Sequence, residues 1–412
     1  MCANRVEEER DALRTFFGCN QCTPSSSHQR YQPLKIVGSG SYGTVCSAVD
    51  KCADPSESTL VAIKKISNVF ASVPEALRIY REIVFLRAMS NVHPDIVKVR
   101  DVLMPCNTLG YRDVFIVFDL MDASLQTVIE RHHDKLSEEN VRVFMYQLLR
   151  SIAFLHHAGI MHRDLKPANI LVDAHNGPSL KLCDFGLARS HIPTRRSKRV
   201  QAQQTRVQLL KSVAPTEGLH MWTDYVATRW YRAPELCGCF FSGYSTSVDM
   251  WSVGCIFAEM VLGHPILQGS SVRNQLMQIV QFLGKPSESD VNSIDNPQSR
   301  GFVRAVGEKV QSAGFDKLFE NVRCPDLLDL LRKLLSFQAV DRPSARKALE
   351  HPFFEGFPHG LTPELQTAAE DVRTKIAYVS AMDESDQTEY DMRSLVFQEI
   401  VNWRIEKMKP LV

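Results

Sequence analysis

The chain has 412 residues, of which 44% are apolar and 23% are charged, and its formal net charge at pH 7 is +1. This balance gives no reason to expect nucleic acid or a membrane as the main partner. Its apolar stretches fall short of the roughly 20 residues that a membrane span needs, and the charged first ten residues lack the apolar core of a signal peptide. Eleven scattered cysteines are typical of free, mostly buried thiols. We therefore expect an intracellular, cytoplasmic protein, with the nucleus as a second location.

The pattern of the chain changes near residue 31. Residues 1–30 are polar and serine-rich near their end, which favours an N-terminal extension that is only partly ordered. In the following ninety residues, short β-branched runs predict strands, which lie at 35–37, 44–46, 60–63 and 114–117. Among them, apolar residues at near-helical spacing from Leu77 to Leu86 predict one helix.

From residue 122 onward the pattern is mainly helical, as in the apolar-rich stretch at 141–155. Strands followed by helices predict an α+β fold with two lobes. We expect one domain at 31–354, with a small β-rich N-lobe at 31–121 and a larger helical C-lobe at 122–354.

Two further segments differ from this pattern. Residues 190–216 contain no acidic residue and predict a long, basic surface loop. Its cations are Arg195, Arg196, Lys198, Arg199, Arg206 and Lys211. Residues 355–412 are expected to form a C-terminal extension, a polar, acidic connection followed by an amphipathic helix around Leu395 to Ile405.

The glycine-rich run Gly38-Ser-Gly-Ser-Tyr-Gly43 lies between two predicted strands. In a dinucleotide-binding fold this spacing opens a helix after the first strand. Here residues 45–49 favour a strand, so we interpret the run as a hairpin that covers phosphates; a plain glycine-rich turn is the alternative. Further along, Lys64 lies on an apolar strand and needs a partner, because an unpaired buried charge is costly. Glu82, on the predicted helix, is the candidate, unless both side chains are exposed and never meet.

Two motifs carry the strongest chemical signal. The string His162-Arg-Asp-Leu-Lys-Pro-Ala-Asn169 places a carboxylate, an ammonium and an amide within six residues, and Asp184-Phe-Gly186 follows at short range. Phosphoryl transfer needs an acceptor for a hydroxyl proton, oxygen ligands for Mg²⁺ and a cation near the developing phosphate charge. The two motifs supply all three.

Together these residues resemble the protein kinase family over residues 31–354, and the resemblance implies a two-lobed kinase fold with ATP and Mg²⁺ as cofactors. By that resemblance Asp164 accepts the proton of the substrate hydroxyl and Lys166 steadies the γ-phosphoryl group. Asn169 and Asp184 are the expected Mg²⁺ ligands. The lysine within His-Arg-Asp-Leu-Lys-Pro resembles serine/threonine kinases rather than tyrosine kinases.

The resemblance also outlines an ATP site, in which Lys64, paired with Glu82, holds the α and β phosphates. A hinge after Phe118 bonds adenine through its backbone. The residues expected to contact ATP are Val37, Gly38, Ser39, Gly40, Ser41, Tyr42, Gly43, Val45, Ala62, Lys64, Asp119 and Met121. Glu235 and Arg342 resemble a buried ion pair of the family, and Asp249 resembles the carboxylate that braces the catalytic loop.

The string Thr223-Asp-Tyr225-Val-Ala-Thr-Arg-Trp-Tyr-Arg232-Ala-Pro-Glu235 resembles the activation lip of mitogen-activated protein kinases. This likeness implies activation by an upstream dual-specificity kinase that phosphorylates Thr223 and Tyr225. The arginines expected to bind those phosphates are Arg78, Arg163 and Arg189 for Thr223, and Arg229 and Arg232 for Tyr225.

The same likeness implies protein substrates with Ser/Thr-Pro sites, because the backbone near Ala227 offers the residue after the phosphoacceptor no hydrogen-bond acceptor. Proline has no N–H to leave unpaired there. Asp383 and Asp386 resemble an acidic patch that binds basic docking peptides.

The basic segment at 190–216 departs from the family, and three interpretations of it remain open. It is a tolerated surface loop, a mimic of a docking peptide, or a nuclear-import signal. For the whole chain, the alternatives are a relative of the cyclin-dependent kinases and a nucleotide-binding docking or scaffold protein with little turnover.

Overall fold

The computed structural model describes residues 16, 30–40, 43–55, 57–103, 110–131, 136–173, 178–191, 229–237, 245–294, 296–311, 314–382 and 387–408. Strands dominate the described residues before 120, and helices dominate those after it. The predicted two-lobed α+β fold is therefore confirmed.

The N-lobe is built on an antiparallel sheet of five strands. They are β1 (Tyr31–Gly40), β2 (Gly43–Asp50), β3 (Leu60–Ile66), β4 (Val99–Val102) and β5 (Val114–Asp119), in the spatial order β1-β2-β3-β5-β4. Strand β4 is not among the strands predicted from the sequence. Helix α1 (Val73–Ala88) follows β3 and begins at Ser72, whose hydroxyl accepts the Glu75 N–H. Eleven of its residues are buried, so the helix packs most of its circumference into the lobe.

The C-lobe is mainly helical, and most of its short strands flank the motifs at 162–169 and 184–186 in the sequence. Its helices are α2 (Leu125–Arg131), α3 (Glu138–His157), α4 (Pro234–Cys237), α5 (Ser247–Leu262), α6 (Val272–Leu283), α7 (Glu288–Asn292), α8 (Pro297–Gly307), α9 (Gly314–Leu318), α10 (Pro325–Leu334) and α11 (Ala345–Leu349). The strands are β6 (Ala123–Ser124), β7 (Ile160–Met161), β8 (Ile170–Asp173), β9 (Ser179–Leu182) and β10 (Arg189–Ser190). Helix α5 has 13 of 16 residues buried, as befits an apolar helix at the centre of a core.

The C-terminal extension differs from the expected polar connection. It contains helix α12 (Pro363–Ile376) before the final helix α13 (Glu389–Met408), so the prediction of a connection without a helix was wrong for residues 363–376. Thr362 caps α12 and Pro363 occupies its first turn. Val372 and Ile376 are buried one helical turn apart. Helix α13, longer than predicted, packs on α1 and β4 of the N-lobe.

The structure also bears on the N-terminal extension, the cysteines and the expected lack of a membrane span. Phe16, the one described residue before 30, is 3% exposed and packs edge-on against Phe115 of β5, with ring centroids 6.0 Å apart. The six described cysteines are free, but only Cys46, Cys237 and Cys255 are buried, fewer than expected. Among the described helices, none is long and apolar enough to cross a membrane.

Candidate active site

Lys64 connects the sheet to two carboxylates. Its Nζ donates to Glu82 Oε1 of α1 at 2.7 Å and to Asp184 Oδ1 at 3.1 Å. Burial would lower the pKa of this lysine, but the charges of Asp184 and Glu82 outweigh that effect and raise it. Lys64 is therefore held as an ammonium between two acids from distant parts of the sequence, and the pair with Glu82 forms as predicted.

Asp184 is held in a conformation that few residues adopt. Its φ is +63°, in the left-handed region. Burial would raise the pKa of its carboxyl, yet the neighbouring Lys64 charge and hydrogen bond lower that pKa to about 2. Asp184 Oδ2 makes no hydrogen bond among the described residues. The side chain is thus an ionised carboxylate with one oxygen left for a ligand.

The catalytic-loop motif converges on a single carboxylate oxygen. Lys166 Nζ donates to Asp164 Oδ2 at 2.7 Å, and Asn169 Nδ2 donates to the same oxygen at 3.0 Å. Asn169 Nδ2 also donates to the Asp164 carbonyl at 2.8 Å. The hydrogen bonds of the described residues leave Asp164 Oδ1 unused, as well as the amide oxygen of Asn169. An acceptor for a hydroxyl proton and a neutral metal ligand lie side by side.

A buried carboxylate of α5 supports this loop. Asp249 accepts the N–H of His162 at 2.9 Å and that of Arg163 at 2.8 Å, while His156 Nε2 lies 2.9 Å from its Oδ2. Burial would raise the pKa of Asp249, but the hydrogen bond from His156 leads the interactions that lower it. These contacts agree with the bracing role inferred for Asp249. The hydrogen bond from the Arg163 N–H also holds that residue at a φ of +69°.

His162 joins the two catalytic motifs. Its Nδ1 accepts the Asp164 N–H at 3.3 Å, so its Nε2 carries the proton that goes to the Cys183 carbonyl at 3.1 Å. The ring is fully buried and lies 5.2 Å from the Phe185 ring, centroid to centroid. The sequence prediction gives His162 no role, and its position at the head of the motif is the signal that points to one.

The glycine-rich run forms the predicted hairpin. Strands β1 and β2 pair antiparallel, with Gly40 opposite Gly43, and residues 41–42 (Ser41 and Tyr42) lie outside the described residues. Gly43 has a φ of +118°, and a Cβ there would lie 2.1 Å from the Lys65 carbonyl oxygen, so a side chain does not fit. The other expected ATP contacts, Val37, Gly38, Ser39, Val45 and Ala62, lie on β1, β2 and β3.

The expected hinge follows β5, and Asp119 makes two contacts there that the sequence did not predict. The Asp119 N–H donates to the Lys98 carbonyl at 3.3 Å, and its side chain accepts from Arg100 Nε at 2.5 Å. Both the N–H and the side chain of Asp119 are therefore bonded, to Lys98 just before β4 and to Arg100 within β4. The N–H of Met121 makes no hydrogen bond within the described part of the chain and would be available to a bound adenine.

The end of the activation segment is anchored as predicted. Arg342 donates to both oxygens of Glu235, at 2.7 and 2.8 Å, and its side chain is fully buried. Arg229 lies in a 3-10 turn at residues 229–231, three residues before Arg232. The lip residues Thr223, Tyr225 and Ala227 lie outside the described residues.

Two of the expected phosphate-binding arginines, Arg78 of α1 and Arg189, donate to backbone carbonyls at the start of the activation segment. Arg78 Nε donates to the Gly186 carbonyl at 3.1 Å, and Arg189 Nη1 donates to the Ala188 carbonyl at 2.9 Å. Of the predicted basic loop, only residues 190–191 are described; Ser190 belongs to β10 and pairs with Ile160. The docking residues Asp383 and Asp386 are also outside the described part.

The donor set fits ATP with Mg²⁺. No cluster of three or more His, Cys, Asp or Glu residues that could hold a metal ion occurs among the residues described. Mg²⁺ bound to a nucleotide needs only one or two protein oxygens, because phosphates and waters supply the rest. Asn169 and Asp184 each have an oxygen to offer, and Lys64 presents an ammonium beside them. These residues would hold the metal and the phosphates.

A two-lobed fold with this lysine, these carboxylates and a glycine-rich hairpin defines a protein kinase, and the family model "Protein kinase domain" matches residues 31–354. The chain is 40% identical over 92% of its length to "Mitogen-activated protein kinase 11" of Oryza sativa subsp. japonica, of which the match covers 60%. It is likewise 40% identical over 92% of its length to "Mitogen-activated protein kinase 15" of Arabidopsis thaliana, covering 59%. "Mitogen-activated protein kinase 13" of Oryza sativa subsp. indica is 39% identical over 93% of the chain, covering 68%. The chain belongs to the mitogen-activated protein kinase family.

Proposed function

We propose that this chain is an ATP- and Mg²⁺-dependent serine/threonine kinase that phosphorylates Ser/Thr-Pro sites in proteins. The observation that carries the proposal is the placement of Lys64 between Glu82 and Asp184, at 2.7 and 3.1 Å. The same site also retains Asp164 and Asn169. A scaffold that binds nucleotide without turnover would not require these residues, so their presence favours an active kinase. The rice and Arabidopsis relatives named first, of which the chain spans 60% and 59%, are both named mitogen-activated protein kinases, and this supports the proposal.

The proposed mechanism assigns each polar atom a task. Bound ATP and Mg²⁺ supply the γ-phosphoryl group and the charge that neutralises its oxygens. Lys166 and Asn169 hold Asp164 through its Oδ2, so that Oδ1 orients the substrate hydroxyl and takes its proton. Lys64 binds phosphate oxygens while Glu82 keeps its Nζ in place. Positioning and charge stabilisation account for most of catalysis in this kind of reaction.

Asp164→Asn tests the assignment directly. With Mg-ATP, the parent chain should phosphorylate a Ser-Pro peptide, whereas the variant should lose turnover by about 10³-fold or more. ATP affinity should change far less than turnover, because Lys64, assigned to the phosphates, is held by Glu82 and Asp184 and makes no hydrogen bond to Asp164 among the described residues. Equal turnover in both proteins would refute the catalytic role. A parent that phosphorylates Ser-Ala and Ser-Pro peptides equally would refute proline direction.

The proposed switch is phosphorylation of Thr223 and Tyr225 by an upstream dual-specificity kinase. Arg78 and Arg189 support it, since both guanidinium groups lie at the carbonyls of 186–188, where the activation segment begins. A phosphate brings a charge of about −1.5 to −2 and would order the segment through such cations. Mass spectrometry of the lip before and after Mg-ATP, in parent and Asp164→Asn, separates phosphorylation by the chain itself from phosphorylation by another enzyme.

The proposed docking surface is the acidic patch around Asp383 and Asp386, which lies between the end of the 3-10 helix at Ala377–Ala381 and the start of α13. Basic docking peptides of substrates and activators would bind it by charge complementarity. Asp383→Asn with Asp386→Asn should weaken binding of a Lys/Arg-rich peptide, and the loss should shrink at high salt. Unchanged affinity at low salt would contradict this surface.

A further inference from the structure

Two consecutive carbonyl oxygens at the end of the activation segment are held by side chains of the C-lobe core. Gln275 of α6 donates from Nε2 to the Trp230 carbonyl at 3.1 Å. Ser252 of α5 donates its hydroxyl to the Tyr231 carbonyl at 2.8 Å. The Tyr231 phenol in turn donates to Glu259 Oε2 at 2.7 Å. Trp230 and Tyr231 form a strip whose backbone orientation is therefore determined by side chains from two helices.

Gln275 uses both ends of its amide in this arrangement. Its Oε1 accepts the Gly269 N–H at 2.8 Å, while its Nε2 holds the strip, and the residue is fully buried. The loop before α6 approaches so closely that a Cβ on Gly269 would lie 2.3 Å from Oε1 and 2.6 Å from the Gln275 Cα. Only glycine permits this approach. A buried amide is thus clamped between a loop and the activation segment, with its two ends satisfied.

We propose that Gln275 is a positioning residue for the protein substrate. The inference rests on the proposed proline-directed kinase activity. Trp230 is three residues after Ala227, the position near which the substrate residue after the phosphoacceptor is expected, a span of at most about 10 Å. On the other side, the Glu235–Arg342 pair anchors the chain. By holding the Trp230 carbonyl, Gln275 sets the orientation of the backbone between that anchor and the substrate.

Gln275→Glu separates the two contacts of the amide. The carboxylate keeps an acceptor for the Gly269 N–H but places a second acceptor opposite the Trp230 carbonyl, so the hold on the strip is lost. The loss of one such hydrogen bond corresponds to roughly a fivefold effect. We expect the KM for a Ser-Pro peptide to rise about fivefold or more and the preference for Ser-Pro over Ser-Ala to fall. The KM for ATP should stay unchanged, because no hydrogen bond among the described residues joins the strip to Lys64, Glu82 or Asp184.

Gly269→Ala carries the same test from the opposite side and does not depend on whether Gln275→Glu folds. Its methyl group must displace Gln275, so the peptide KM and the Ser-Pro preference should change in the same direction. Gln278→Met is the matched control on the same helix. Gln278 Oε1 accepts the Gln268 N–H at 2.8 Å and its Nε2 donates to Asn274 Oδ1 at 3.1 Å, so among the described residues it makes no hydrogen bond to the strip. It should keep the peptide KM of the parent.

The experiment uses the full chain and compares peptide KM, ATP KM, kcat and Ser-Pro preference for the parent and three variants. A selective change in peptide KM and preference for Gln275→Glu or Gly269→Ala, absent in Gln278→Met, supports the positioning role. Peptide parameters within twofold of the parent, or equal losses in all three variants, overturn it. Binding of a fluorescent Ser-Pro peptide, followed by anisotropy, gives the same comparison without turnover. If the parent shows no kinase activity, only the proposed function is refuted. If the parent and the variants bind the peptide with equal affinity, this inference is refuted.

Discussion

Arg87 Nε, in the last turn of α1, donates to Glu399 Oε2 of α13 at 2.8 Å, across 312 positions of the sequence. The same guanidinium reaches Glu406 at 2.6 Å, and the Tyr378 phenol donates to the other Glu399 oxygen at 3.3 Å. Because α1 also carries Glu82, the partner of Lys64, the C-terminal helix is linked to the ATP site through one helix of the N-lobe.

Glu399→Gln should lower the free energy of unfolding by about 2 kcal/mol, because it replaces a charged partner of a largely buried guanidinium with a neutral amide. Urea unfolding at neutral pH measures the loss, and a double-mutant cycle with Arg87→Met isolates the pair. Glu406→Gln is the control: the Glu406 side chain is 53% exposed, so its loss should cost under about 1 kcal/mol. Equal losses for the two glutamates would show that burial does not govern this contact.

Glu82→Gln should leave Lys64 with Asp184 as its one carboxylate partner. The lysine would then be drawn toward the metal ligand, and phosphate binding would suffer. Hydrogen bonds to charged groups are worth about 1.5–3 kcal/mol, so we expect kcat/KM for ATP to fall roughly 10- to 100-fold. Steady-state kinetics with varied ATP provides the measurement. Glu75→Gln, an exposed residue in the first turn of the same helix, should behave as the parent does.

The parts of the site that could be predicted from the residues are those whose members lie close together in the sequence. Asp164, Lys166 and Asn169 lie within six positions, so one loop conformation brings them together. The strand that carries Lys64 and the helix that carries Glu82 are consecutive elements, so their pairing follows from a short connection. Periodicity and turn residues were sufficient for the two lobes.

The parts that could not be predicted depend on distant packing. The engagement of Asp119 by Arg100 follows from the pairing of β4 with β5, and β4 has only four residues. Thr362 and Pro363 are typical of the start of a helix, but the low apolar content of α12 is typical of a polar connection between elements, so the helix was not predicted. The strands β6 to β10 are two to four residues long, too short for a period-2 pattern to stand out.

Phe16→Ala should destabilise the N-lobe, because the ring is 3% exposed and packs against Phe115 on the outer face of the sheet. Removal of a buried phenylalanine ring costs about 3 kcal/mol. Thermal unfolding of the full chain, followed by near-UV circular dichroism, should show the loss, while Phe16→Leu should retain most of the stability. A melting temperature equal to that of the parent for both variants would show that this contact contributes nothing to folding.

The stability of the chain should depend on pH through the carboxyl of Glu259, which is 4% exposed and accepts the Tyr231 phenol at 2.7 Å. Burial raises its pKa from 4.5 to about 7, although the hydrogen bond from Tyr231 opposes the shift. Between pH 4.5 and about 7 the folded chain therefore binds a proton that the unfolded chain has released. Because the folded state binds more protons in this range, the contribution of Glu259 to the free energy of unfolding falls as pH rises, by about 3 kcal/mol in total. Above pH 7 both states are ionised and the contribution is constant.

Glu259→Gln removes this titration and keeps an acceptor for the Tyr231 hydroxyl. Relative to the parent, the variant should gain stability from pH 4.5 to pH 7 and level off above it, when urea unfolding is measured at half-unit steps. Tyr231→Phe should act in the opposite sense, because loss of the phenol raises the pKa of Glu259 further and extends the slope above pH 7. Parallel stability curves for parent and Glu259→Gln would mean that the carboxyl titrates alike in the folded and unfolded chains.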